Sequence, residues 1–98
     1  MTIEKKLNEE VVTLVVAGRL DTQTAPELEK AVDDVVADAK ELTFDMTGLE
    51  YVSSAGLRVL LKAQKIMNTK GSMKLTGVND NIMEVFDITG FLDILTIE

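Results

Sequence analysis

The run Val11-Val12-Thr13-Leu14-Val15-Val16 constrains the fold more than any other stretch of this chain. β-Branched residues stiffen it against a helix, and its apolar positions are too continuous for a strand wet on one side. It reads as a central strand buried on both faces. A shorter strand, Ile3–Leu7, precedes it across the polar Asn8-Glu9-Glu10 turn.

After this run the apolar period changes from even spacing to three and four. Leu28, Ala31, Val32, Val35, Val36 and Ala39 line one helical face, with Glu29, Lys30, Asp33, Asp34 and Asp38 opposite. Thr24 and Glu27 have the spacing of a capping box around Pro26, which suits a first helical turn. The three aspartates read as a solvated face, since no coordinating loop surrounds them. Leu42–Met46 is then a strand, Thr47-Gly48 a turn, and Ala55–Thr69 a helix stopped near Gly71. Met73–Thr76 forms a fourth strand, and Asn79 caps a helix running to about Ile88. Phe91–Leu95 is a short helical turn, and Thr96-Ile97 a terminal edge strand.

Two opening strands followed by alternating helix and strand give an α/β fold: a mixed sheet of four to five strands flanked by about four helices. Its parallel pieces require right-handed crossovers. Loops at the carboxyl ends of such strands are the usual functional edge. Gly18–Thr24 and Thr47–Ser54 are the segments expected there.

Composition removes several chemistries. The chain has no His and no Cys, so it lacks the commonest acid–base residue, a phosphohistidine carrier and thiolate metal ligands. No catalytic residue, metal ligand or cofactor is therefore assigned. A formal net charge of −7 with dispersed acids disfavours nucleic acid, and no basic run addresses anionic lipid. The first residues, MTIEKKLNEE, lack a signal-peptide apolar core, and no apolar run has membrane-spanning length. The expectation is a cytoplasmic protein without membrane insertion.

At YVSSAGLR, residues 51–58, strand gives way to helix. A serine nucleophile needs a base, and neither G-x-S-x-G nor S-x-x-K is present; Lys62 lies two turns into the helix. Phosphate-binding glycine motifs are absent as well. One serine caps the helix, which accounts for that residue and leaves the other without a role. Gly56 removes bulk beside the pair, giving room for another protein's surface.

Phe44–Leu57, FDMTGLEYVSSAGL, resembles the signature of the anti-sigma factor antagonists, the bacterial STAS-domain proteins. Their pattern is an apolar strand ending in Asp, a Ser/Thr-Gly turn, and an Asp-Ser segment running into Gly-Leu that opens a helix. Gly18-Arg19-Leu20-Asp21 with Thr24-Ala25, then Gly77-Val78 and Thr89-Gly90-Phe91, match further family phrases, so the resemblance spans nearly all of residues 1–98 as a single STAS domain. It implies transcription regulation by partner switching. The unphosphorylated antagonist binds an anti-sigma factor that is also a serine kinase, phosphorylation releases it, and a PP2C-type phosphatase resets it. Anchored on Gly56-Leu57, the phosphoserine position is Ser54, and Ser53 stands where the family has Asp, which makes Ser53 the alternative acceptor. The implied partner-binding residues are Asp21, Thr22, Ser53, Ser54, Ala55, Gly56 and Arg58. Within the same fold, the alternative is an accessory subunit of a transport or signalling assembly that docks by this edge without phosphorylation. Small-ligand sensing at the edge is a third reading, for which no residue argues.

Overall fold

The computed structural model describes residues 1–98, and the expected helices and first four strands form, with shifted ends. β1 (Thr2–Asn8) and β2 (Val11–Leu20) pair antiparallel from Thr2↔Ala17 to Asn8↔Val11, leaving Glu9-Glu10 as a two-residue loop. Then follow α1 (Ala25–Val35), β3 (Glu41–Val52), α2 (Ser54–Asn68), β4 (Ser72–Thr76), α3 (Asp80–Ile88) and a 3-10 turn, Phe91–Asp93. The sheet order is β1-β2-β3-β4, with β2–β3 and β3–β4 parallel. The expected terminal strand is a single parallel bridge, Leu75↔Ile97. It is held by Leu75 N–H donating to the Thr96 carbonyl at 2.9 Å and Glu98 N–H to the Leu75 carbonyl at 2.9 Å.

This order explains where the core lies. Both crossovers step in the same direction along the sheet, and right-handedness then puts α1 and α2 on the same face. One cluster of 24 buried apolar residues joins that face to all three helices. The other face is uncovered. Along β2, Val12, Leu14 and Val16 are buried while Val11, Thr13, Val15 and Ala17 are half-exposed. The expectation of a strand buried on both faces is corrected: β2 is central but covered on one side, and its β-branched outer residues reflect strand propensity.

α1 ends at Val35 rather than near Ala39. Its last turn contains no basic residue, so acids such as Asp33 and Asp34 meet the negative end of the helix dipole. A looser turn carries Ala39 into the core, and Lys70, just beyond α2, donates its ammonium to the exposed Val36 and Ala37 carbonyls. At α3 the expected cap is present. Asn79 Oδ1 accepts from Ile82 N–H at 2.8 Å, while its Nδ2 donates to the Leu49 carbonyl at 3.0 Å, tying α3 to β3.

Gln64 of α2 is the one polar side chain among the buried residues, 6% exposed. Its Nε2 donates to Asn68 Oδ1 at 2.8 Å, but Oε1 has no partner. An orphan buried acceptor costs about 1–3 kcal/mol. Gln64→Met keeps the volume and removes that acceptor, while exposed Asn68 turns to solvent. The urea midpoint of Gln64→Met should therefore rise, by about 1 kcal/mol of stability at unchanged m-value.

Candidate functional site

The site lies at the carboxyl ends of β2 and β3, and its form depends on how β3 reaches α2. Buried residues of β3 fall at Leu42, Phe44 and Met46, then at Leu49 and Val52. The spacing changes from two to three because β3 carries extra residues against β2. The register passes from Val15↔Asp45 to Ala17↔Gly48, and from Gly18↔Leu49 to Arg19↔Tyr51. Each shift is a β-bulge, which bends the strand while keeping it paired. At the first bulge Asp45 Oδ1 accepts from Thr47 N–H at 3.1 Å and from Thr47 Oγ1 at 2.7 Å.

Thr47–Ser54 is thus not the loop expected at this edge, and Thr47-Gly48 is no turn. Pairing runs on to Leu20↔Val52, and Ser53 alone separates strand from helix. Likewise β2 extends to Leu20, shortening the expected Gly18–Thr24 loop to a turn from Asp21 to Thr24.

The two serines differ in kind. Ser53 N–H donates to the Leu20 carbonyl at 2.8 Å, and its own carbonyl accepts from Leu57 N–H at 2.9 Å. Ser53 Oγ accepts from Gly56 N–H at 3.4 Å, making Ser53 the N-cap of α2. The residue is half-buried. Ser54 is the first residue of α2, exposed, and its hydroxyl has no hydrogen-bond partner within the chain. Ser53→Ala should lower stability by about 0.5–1 kcal/mol in urea denaturation, the low side of cap values because the bond is long. Ser54→Ala should leave the midpoint unchanged.

Gly56 has a different role from the one read from the sequence. It is buried, and a Cβ there would lie 2.5 Å from Leu20 Cγ and 3.1 Å from Val52 Cγ2. Its missing side chain makes room for this chain's own β2 and β3, not for another protein. Arg58 does face outward, and with half-buried Ala55 it lines an open groove of about 200 Å³ between the starts of α1 and α2, with Thr22, Pro26 and Glu29 across it.

Asp21 builds the α1 side of the edge. Its Oδ1 accepts from Gln23 N–H at 3.0 Å and Thr24 N–H at 3.1 Å, while Asp21 N–H donates to Thr24 Oγ1 at 2.8 Å. This reciprocal pair is a capping box one turn before the one expected. Thr24 makes no side-chain cap for α1; its hydroxyl donates instead to the Arg19 carbonyl at 2.7 Å. The Thr24 backbone N–H, foremost among these donors, holds the Asp21 carboxyl below its ordinary value. Asp45 is lowered chiefly by the Thr47 hydroxyl. Both contributions to folding are complete above the ordinary carboxylate range and are lost as pH falls through the lowered values.

Two features escaped sequence reasoning. Arg19 stacks on the Tyr51 ring, 4.2 Å from its centroid, on paired positions of β2 and β3. Lys62 bridges from α2 to Asp33 at 3.2 Å and Glu29 at 3.7 Å on α1, tying the two helices together. The bond to Asp33, above all, raises the Lys62 pKa and favours the charged amine. The exposed Tyr51, between the buried Leu49 and Val52, was the available signal for the first. Nothing local signals the second.

With this geometry established, comparison with known proteins gives consistent results. The STAS domain family model matches residues 2–98. The anti-sigma-B factor antagonist of Listeria monocytogenes is 34% identical over 98 residues, covering 96% of this chain and 84% of the relative. That of Bacillus subtilis is 29% identical over 98 residues, covering 99% and 90%. Among solved structures, an anti-sigma factor antagonist from Mycobacterium paratuberculosis superimposes with a TM-score of 0.89 at 25% identity, covering 98% of this chain and 83% of that one. On sequence and architecture together, this chain belongs to the STAS domain family.

Proposed function

We propose that this protein is an anti-sigma factor antagonist switched by phosphorylation of Ser54. The unmodified edge binds an anti-sigma factor with serine kinase activity, phosphorylated Ser54 releases it, and a PP2C-type phosphatase restores binding. The observation that carries this reading is the division between the serines. Ser53 spends its hydroxyl and amide on the α2 cap and the β2 rung, whereas Ser54 presents a free hydroxyl on the outer surface. A kinase reaches Ser54 without unpicking the fold. Asp21, Thr22, Ala55 and Arg58 form the docking edge with it, and Gly56 contributes by letting α2 approach Leu20. The protein acts by binding and not by catalysis, which agrees with the lack of His and the ion-paired state of Lys62.

The experiment is intact-mass measurement after incubation with the cognate kinase and ATP. Wild type gains one phosphate, Ser53→Ala still gains it, and Ser54→Ala gains none. Full phosphorylation of Ser54→Ala overturns the assignment.

A further inference from the structure

Side chains on a helix slope toward its N-terminus, and residues four apart sit one above the other, their Cβ atoms roughly 5–6 Å apart. Ser54 is the first residue of α2 and Arg58 is four residues on, which puts the first turn within reach of the long Arg58 side chain. Both are exposed. Arg58 takes part in no ion pair, whereas Lys62, one turn further, is held by Glu29 and Asp33. Glu29, the acid that lines the groove with Arg58, already has the Lys62 ammonium at 3.7 Å. The Asp21 carboxylate is engaged by Gln23 and Thr24, and Arg19 lies over Tyr51, with Glu50 exposed beside it. A free guanidinium stands next to the free hydroxyl, in a chain of net charge −7.

We propose that Arg58 is the positioning residue for the phosphorylated state: its guanidinium clasps a phosphate on Ser54 across one turn of α2 by paired, charge-assisted hydrogen bonds. The inference rests on Ser54 as the modified residue. It goes further in that the modification also withdraws Arg58 from the docking groove, so one event adds an anion to the edge and removes a cation from it. The helix dipole supports the same geometry, but the fork of Arg58 supplies its direction.

The test uses the full chain with phosphoserine installed at position 54 during translation, which makes it independent of any kinase. The second ionisation of the phosphate, near 6 for an unperturbed phosphoserine, is followed by 31P NMR titration. In the Arg58-containing protein it should lie about half a unit below its value in Arg58→Gln. Arg58→Lys, a point charge without the fork, should fall between them. Coincident titration curves for all three proteins overturn the clasp. Arg58→Gln alters only an exposed side chain, and circular dichroism of each protein checks that the comparison is made on folded chains. If the kinase fails to modify Ser54 while the titration shows the difference, the proposed function falls and the clasp stands; the reverse result separates them the other way.

Discussion

Phosphorylation of Ser54 is expected to weaken binding of the anti-sigma partner several hundredfold while leaving the domain folded. The modification adds about −1.5 to −2 charges and three acceptor oxygens at a solvent-facing first helical position. Within the domain the helix N-terminus tolerates that charge. Across an interface the same charge must be desolvated beside the edge acids Asp21, Glu29 and Glu50. A penalty of about 3–4 kcal/mol corresponds to the stated loss of affinity. Calorimetric titration of the partner with each form measures it, and Ser54→Asp, with less charge and fewer acceptors, should give a smaller loss in the same direction. Far-ultraviolet circular dichroism should not distinguish the two forms. A phosphorylated protein that bound within threefold of the unmodified one would refute the electrostatic account.

Gly77→Ala should be strongly destabilising for a single-methyl change. Gly77 has φ +70°, a conformation that disfavours side chains, and a Cβ there would collide with Thr47 Oγ1 and lie 2.9 Å from Thr47 N. Thr47 has little room to give, because its hydroxyl and amide are both bonded to Asp45 at the β3 bulge. Backbone strain of about 1 kcal/mol and overpacking of about 1–3 kcal/mol combine to a loss of roughly 3 kcal/mol. For a domain of this size that lowers Tm by roughly 12–24 °C. Gly90→Ala is the internal control. It shares a left-handed φ, +81°, but a Cβ there meets nothing within 4 Å. Its loss should be confined to the strain, about 1 kcal/mol. Equal melting temperatures for the two variants would show that the contact with Thr47 relaxes freely.

The helices were legible in the sequence because each must keep one apolar face toward a single core. Leu28, Val32 and Val35 of α1 and Leu57, Leu60 and Met67 of α2 are buried as their spacing requires. The Ser53-Ser54 junction was legible for a similar local reason, since a cap precedes the helix it serves. β3 was harder. Alternation predicts an unbroken strand, and the change to threes at Met46, Leu49 and Val52 imitates a turn unless the neighbouring strand is known. The capping box at Asp21 was misplaced by one turn, because Thr24-Ala25-Pro26-Glu27 satisfies the same local rule and only the Thr24 hydrogen bonds decide. Lys62 between Glu29 and Asp33 depends on two helices meeting, which no window on one helix contains. Gly56 was misread because its partner, Leu20, lies 36 residues away in sequence.

The direct junction of β3 and α2 has a kinetic consequence. A residue on a compliant loop would have to be ordered or released at every cycle, adding a relaxation to modification and dissociation. Ser54 follows a residue whose amide is pinned to β2, in the interior of the sheet. The protein should therefore respond without a lag: once phosphate is transferred, the partner's departure should follow a single exponential set by the weakened interface alone.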